Sequence, residues 1–161
     1  MKNTKVIMKS KNETIIEEIT HYNAARKRGG SRERLSEAEM PLLFLVPLVE
    51  TAWAHGAIAR SEKHLIFEAA REELIDEKHP LNDTLDDLLV YQPGQKFFDY
   101  CRLLIKSRLA AITVKERGEL HARLLDRCRQ IAAAGGNSAM DVNNFTSPEE
   151  RQVLERLAGV L

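Results

Sequence analysis

LLFLVPLVETAWAHGAIARSEKHLIFEAAREE, residues Leu42 to Glu73, decides the fold. Leu42–Trp53 is the densest apolar run in the chain, so it must lie inside whatever core forms, as the central helix. It closes at His55-Gly56, where glycine can take the left-handed conformation that ends a helix, and a second, amphipathic helix begins within a few residues. The two helices meet at a tight polar corner containing His55, Ser61 and Glu62, the first place to look for a small-ion site. Glu50 interrupts the apolar run and flanks the same corner. A carboxylate beside a buried face needs a compensating partner, which an ion, an arginine or the free amides of the next helix can supply.

Outward from this stretch the pattern stays helical. The chain has 161 residues, 43% hydrophobic and 30% charged, with 6% aromatics, 8 glycines and 5 prolines. That balance favours an all-α, single-domain bundle over a strand-rich sandwich. Residues 1–12 form a polar lead-in and residues 13–161 the domain. Glu13–Arg28 is the first of about seven expected helices, carrying Ile15, Ile16, Ile19 and Tyr22 on one face. A basic, glycine-broken loop over 26–34 follows, expected to be a solvated turn. Ser36/Glu39, Thr113/Glu116 and Ser147/Glu150 have capping-box spacing and mark helix starts. Pro47 inside the apolar run predicts a kink near Leu43–Pro47. His79-Pro80 is expected to end the helix that carries Ile58, Leu65, Ile66, Ala69 and Leu74 on its apolar side. Later helices are expected over about 83–91, 95–111, 114–134 and 148–161.

The formal net charge is zero, which argues against holding nucleic acid by bulk electrostatics. Between Glu62 and Asp87 nine acids face three Lys or Arg, a local charge of −6 balanced by +6 elsewhere. The plainest account is the solvated faces of two helices; the functional one is an acidic 62–87 surface for protein partners. No apolar run is long enough to span a bilayer, and MKNTKVIMKSKNE has no signal-peptide core, so a cytoplasmic protein is expected.

Catalytic constellations are missing from the pattern. There is no glycine-rich phosphate loop, no HExxH and no CxxC. Cys101 and Cys128 fall on apolar helix stripes, where a thiol behaves as a small hydrophobe. A non-enzymatic chain is expected. Metal binding fares better: His64 and Glu68 are four apart on one helix face, and Glu50, His55 and Glu62 surround the corner.

The segment VETAWAHGAIARSEKHLIFEAA, Val49–Ala70, resembles the signature of the TerB-like tellurite-resistance proteins, an Ala-Asp-Gly turn followed by an acidic helix start. IAAAGGNSAMDVNNFTSPEERQVLERLAGVL, Ile131–Leu161, is similar to the family's closing segment. Together the two cover about a third of the chain. The resemblance implies an all-α bundle, a cytoplasmic role in tellurium-oxyanion and general stress responses, and divalent-metal binding at Glu50, Glu62 and Glu150. His55 stands where the family has an acid. That mixes nitrogen with oxygen ligation and favours zinc or another transition metal over calcium. The reading implied is a metal-sensing or protein-interaction module; the alternative is a structural homo-oligomer, a homodimer, with no metal site.

Overall fold

The computed structural model describes residues 32–135 and 148–160, without the side chains of Glu150 and Val160. The described residues are all helical. A 3-10 segment, Glu37–Leu45, leads into α1 (Val46–Ala52), followed by α2 (Arg60–Glu72), α3 (Leu81–Val90), α4 (Gln95–Ala110), α5 (Val114–Gly135) and α6 (Pro148–Val160). That makes six α-helices; the further helix expected over Glu13–Arg28 lies outside the described residues. The chain divides into Met1–Arg32 and Glu33–Leu161, and all six helices belong to the second unit.

The core is built around α1. All seven of its residues are buried, and it packs against the 3-10 segment, α2, α4, α5 and α6. Such a short helix has little stability of its own, so the burial of Val46, Leu48, Val49 and Ala52 is what holds it. The expected kink takes another form. The chain winds as a 3-10 segment up to Leu45 and changes to α-helix at Val46, which puts Pro47 in the first helical turn. Proline has no amide to give the carbonyl of Leu43. That carbonyl and the one of Leu42 share the Val46 amide instead. One turn on, the Thr51 hydroxyl donates to the Pro47 carbonyl at 2.8 Å, which satisfies a buried hydroxyl. The Trp53 indole N–H donates to the Leu88 carbonyl at 2.9 Å and fastens the end of α1 to α3.

Glutamates at the third helical position start three of the elements. Glu39 Oε2 accepts from the Ser36 amide at 2.9 Å and its hydroxyl at 3.0 Å. Glu116 Oε2 accepts from the Thr113 hydroxyl at 2.7 Å and amide at 3.0 Å, and the Glu116 amide donates back to Thr113 Oγ1 at 3.3 Å. The Thr113 hydroxyl first, then its amide, hold the Glu116 carboxyl below its ordinary range. Glu62 does the same work at the start of α2, accepting from the Ala59 amide at 2.7 Å. The predicted box at Ser147/Glu150 falls outside the described side chains, although α6 does begin at Pro148.

Two expectations about α2 are corrected. The helix stops at Glu72, well before His79-Pro80. Leu74, assigned to the apolar side, is 85% exposed. The cause is local: Leu74 takes φ 64°, its amide donates to the Arg71 carbonyl at 3.0 Å, and the Ile75 amide donates to the Ala70 carbonyl at 2.8 Å. This is the paired hydrogen-bond closure of a Schellman motif, with leucine where glycine is usual and Ile75 turned inward to the core. Beyond it, Asp76 Oδ1 accepts from the Lys78 amide at 2.9 Å and His79 Nδ1 accepts from the Leu81 amide at 3.1 Å, so His79 caps the start of α3.

Candidate functional site

The central helix ends at Ala52, short of the expected stop at His55-Gly56, but the corner between α1 and α2 does carry the expected left-handed glycine. Gly56 has φ +87° and its amide donates to the Trp53 carbonyl at 2.9 Å. The side chains around it are held by different elements. Glu50 is 5% exposed and pairs through Oε1 with Nη1 of Arg102, from α4; Arg102 is 11% exposed and also pairs with Asp99. Of the compensations open to a carboxylate on this buried helix, the arginine is the one present. Nothing in the helical period singles out Arg102 as that arginine, because α4 carries several basic residues.

Glu62 is fully buried and sits where α2 meets the C-terminal end of α5. Its Oε2 accepts the Ala59 amide, and its carboxylate lies so close to Gly135 that a Cβ there would stand 2.4 Å from Oε1. Beside it the Ser61 hydroxyl donates to the Ala134 carbonyl at 3.0 Å. The two residues that open α2 therefore lock it to the last turn of α5. His55 is exposed, and the Glu150 side chain lies outside the described residues. Among the described residues no group of three or more His, Cys, Asp or Glu is placed to hold a metal ion. His64 and Glu68 do meet, at 3.3 Å on the exposed face of α2.

Both cysteines are buried. Burial pushes the Cys128 thiol up to about 12, with the nearby Glu50 carboxylate adding to the rise while a Thr51 hydrogen bond and Arg129 oppose it. A thiol held neutral in this way is a poor nucleophile at physiological pH.

The acidic count over 62–87 is divided among several structural roles. Glu62 is a buried cap, Glu72 and Glu73 both pair with Arg127 of α5, and Asp86 pairs with Lys63 at 2.6 Å. Arg127 is the residue that sequence reasoning missed: at the α2–α5 seam it gathers two consecutive glutamates, with 3.1 Å to Glu73 Oε1. The outer side of α2 carries the feature that charge counting hides. Within the acidic stretch lies an open groove of about 470 Å³, lined along α2 by Arg60, Lys63, His64, Phe67 and Arg71.

Among the described residues no helix is long and apolar enough to cross a membrane. No family model, no curated protein and no solved structure matches the chain.

Proposed function

We propose that this chain is a non-enzymatic, TerB-like helical module that acts in a stress response by binding another protein. The observation that carries the reading is the division of labour on α2. Its inner face and first turn are committed to the fold, through Glu62, Ser61, Ile66, Ala69 and Ala70. Its outer face keeps an open groove with charged walls. Glu50, one of the metal candidates by sequence, is engaged by Arg102, which favours the interaction reading over metal sensing. The neutral setting of Cys128 likewise supports binding rather than thiol chemistry.

Proximity labelling in cells, with a biotin ligase fused to the chain and the free ligase as control, tests the proposal. Reproducible enrichment of a partner, with and without tellurite, is expected. Equal labelling by the fusion and the free ligase refutes it. Isothermal titration with zinc, manganese and calcium separates the metal-sensing version. Stoichiometric binding lost in His55→Ala, an exposed position whose replacement leaves the core intact, would move the reading to metal.

A further inference from the structure

Within that interaction reading, the groove on α2 has a specific chemistry. Arg60 and Arg71 are exposed, and neither makes an ion pair among the described residues. The other cationic walls are already engaged: Lys63 is held by Asp86 at 2.6 Å and lies 5.8 Å over the Phe67 ring, and His64 meets Glu68. Phe67 is half-buried between the two arginines, and the buried Ile75 closes the apolar floor. Glu77 and Asn82 complete the lining from the segment beyond α2.

Arg60 and Arg71 stand eleven residues apart on one helix, about 16 Å along its axis, with Phe67 between them. A guanidinium is always charged and its planar fork matches a carboxylate. Two such forks bracketing an aromatic face complement a segment that presents two acids on either side of an apolar side chain. The acids around the groove set the limit on the partner. Glu77 lines it, and Asp86 and Glu68 pair with two of its walls, Lys63 and His64; these acids would repel a polyanion such as nucleic acid. Few charges at fixed spacing suit this surface better than many.

We propose that the α2 groove binds an acidic segment of a partner protein, Arg60 and Arg71 each pairing with a carboxylate and Phe67 receiving an apolar side chain between them. The proposal rests on the interaction reading and can fail separately from it.

The test uses the full chain, ¹⁵N-labelled, titrated with two helical peptides of about twelve residues. One has glutamates near both ends and leucines in the middle; the other has lysines in place of the glutamates. The acidic peptide should shift the amide resonances of residues 60–75 saturably, and the basic one should not. Arg60→Glu/Arg71→Glu should weaken the acidic peptide at least about tenfold and leave thermal unfolding as in the wild type, because both side chains are exposed and unpaired. Equal binding of the two peptides, shifts that map away from α2, or a charge-reversed variant that binds as the wild type does would each overturn the proposal. Wild-type self-association in sedimentation that the same variant abolishes would reassign the groove to a second copy of this chain. If the peptides fail while proximity labelling still enriches a partner equally with the wild type and with Arg60→Glu/Arg71→Glu, the groove is excluded and the interaction reading stands.

Discussion

Gly135→Ala is the substitution that best tests how α2 is locked to α5. In an ordinary helical position this change would be favourable, since alanine is better than glycine by about 1 kcal/mol. At Gly135 the added Cβ meets the Glu62 carboxylate, at 2.4 Å from Oε1, 2.7 Å from Cδ and 3.2 Å from Oε2. Glu62 is fully buried, and its other oxygen is held by the Ala59 amide at 2.7 Å, so it cannot move aside without loosening the cap of α2. Overpacking of this kind costs about 1–3 kcal/mol, and weakening the Ala59–Glu62 hydrogen bond adds to it. The sum outweighs the propensity gain, which is smaller still at the last residue of a helix. We expect Gly135→Ala to destabilise by about 1–3 kcal/mol in urea unfolding followed by circular dichroism. Gly118→Ala is the internal control. Gly118 lies exposed on the same helix with nothing within 4 Å of its would-be Cβ, and alanine there should stabilise by about 0.5–1 kcal/mol. The coupling can be measured directly: in a Glu62→Ala background the penalty of Gly135→Ala should largely vanish. If Gly135→Ala stabilises as much as Gly118→Ala, the Glu62–Gly135 contact does not hold these helices together.

Three further outcomes follow from the same geometry. Leu74→Gly removes a β-carbon from a left-handed residue that is 85% exposed and should stabilise by up to about 1 kcal/mol; a loss in the same urea titration would contradict the Schellman closure. Arg102→Met leaves Glu50 buried without its partner and should cost about 3–5 kcal/mol, while adding Glu50→Gln should recover part of that; strictly additive losses would show that the pair is not coupled. Cys128 should resist thiol-reactive dyes in the folded chain at pH 8 and react on unfolding. Because its folded value is raised from 9.0 to about 12, the unfolded thiol ionises first as pH climbs. Its contribution is full below about 9 and declines through the window up to about 12, by about 1.4 kcal/mol per pH unit; a stability flat across that window in a comparison with Cys128→Ala would contradict the assignment.

What could be read in advance depended on the range of the physics involved. The buried α1, the left-handed Gly56 and the capping glutamates at 39 and 116 are local, and each is written within a few residues of itself. The early end of α2 is local too, yet was hidden, because the chain places leucine where the signal for closure would be glycine. The sequence marks Glu50 as a carboxylate beside a buried face in need of a partner and Glu62 as an acid at a helix start; that Glu62 is itself buried is not legible there. The Ala59 cap of Glu62 is local, three residues away, but Arg102 lies 52 residues beyond Glu50 and Gly135 stands at the far end of α5, and periodicity carries no information about which distant group arrives.

The same limit explains why charge counting and geometry give α2 opposite characters. A count over 62–87 treats all nine acids as one field, but an acid contributes to a surface only if its charge is neither buried nor paired. Glu62 is removed by burial, Glu72 and Glu73 by Arg127, and Asp86 by Lys63. Those pairs draw the acids toward α5 and α3, and among the described residues neither Arg60 nor Arg71 makes an ion pair, although Glu77 shares their groove. The prediction that separates the two views is ionic: Arg71→Glu should weaken an acidic ligand, whereas a field dominated by the acidic count would bind basic ligands and leave Arg71 irrelevant. Raising salt from about 0.05 M to 0.5 M should weaken the acidic peptide, since both arginines are exposed and their pairs with it are screened.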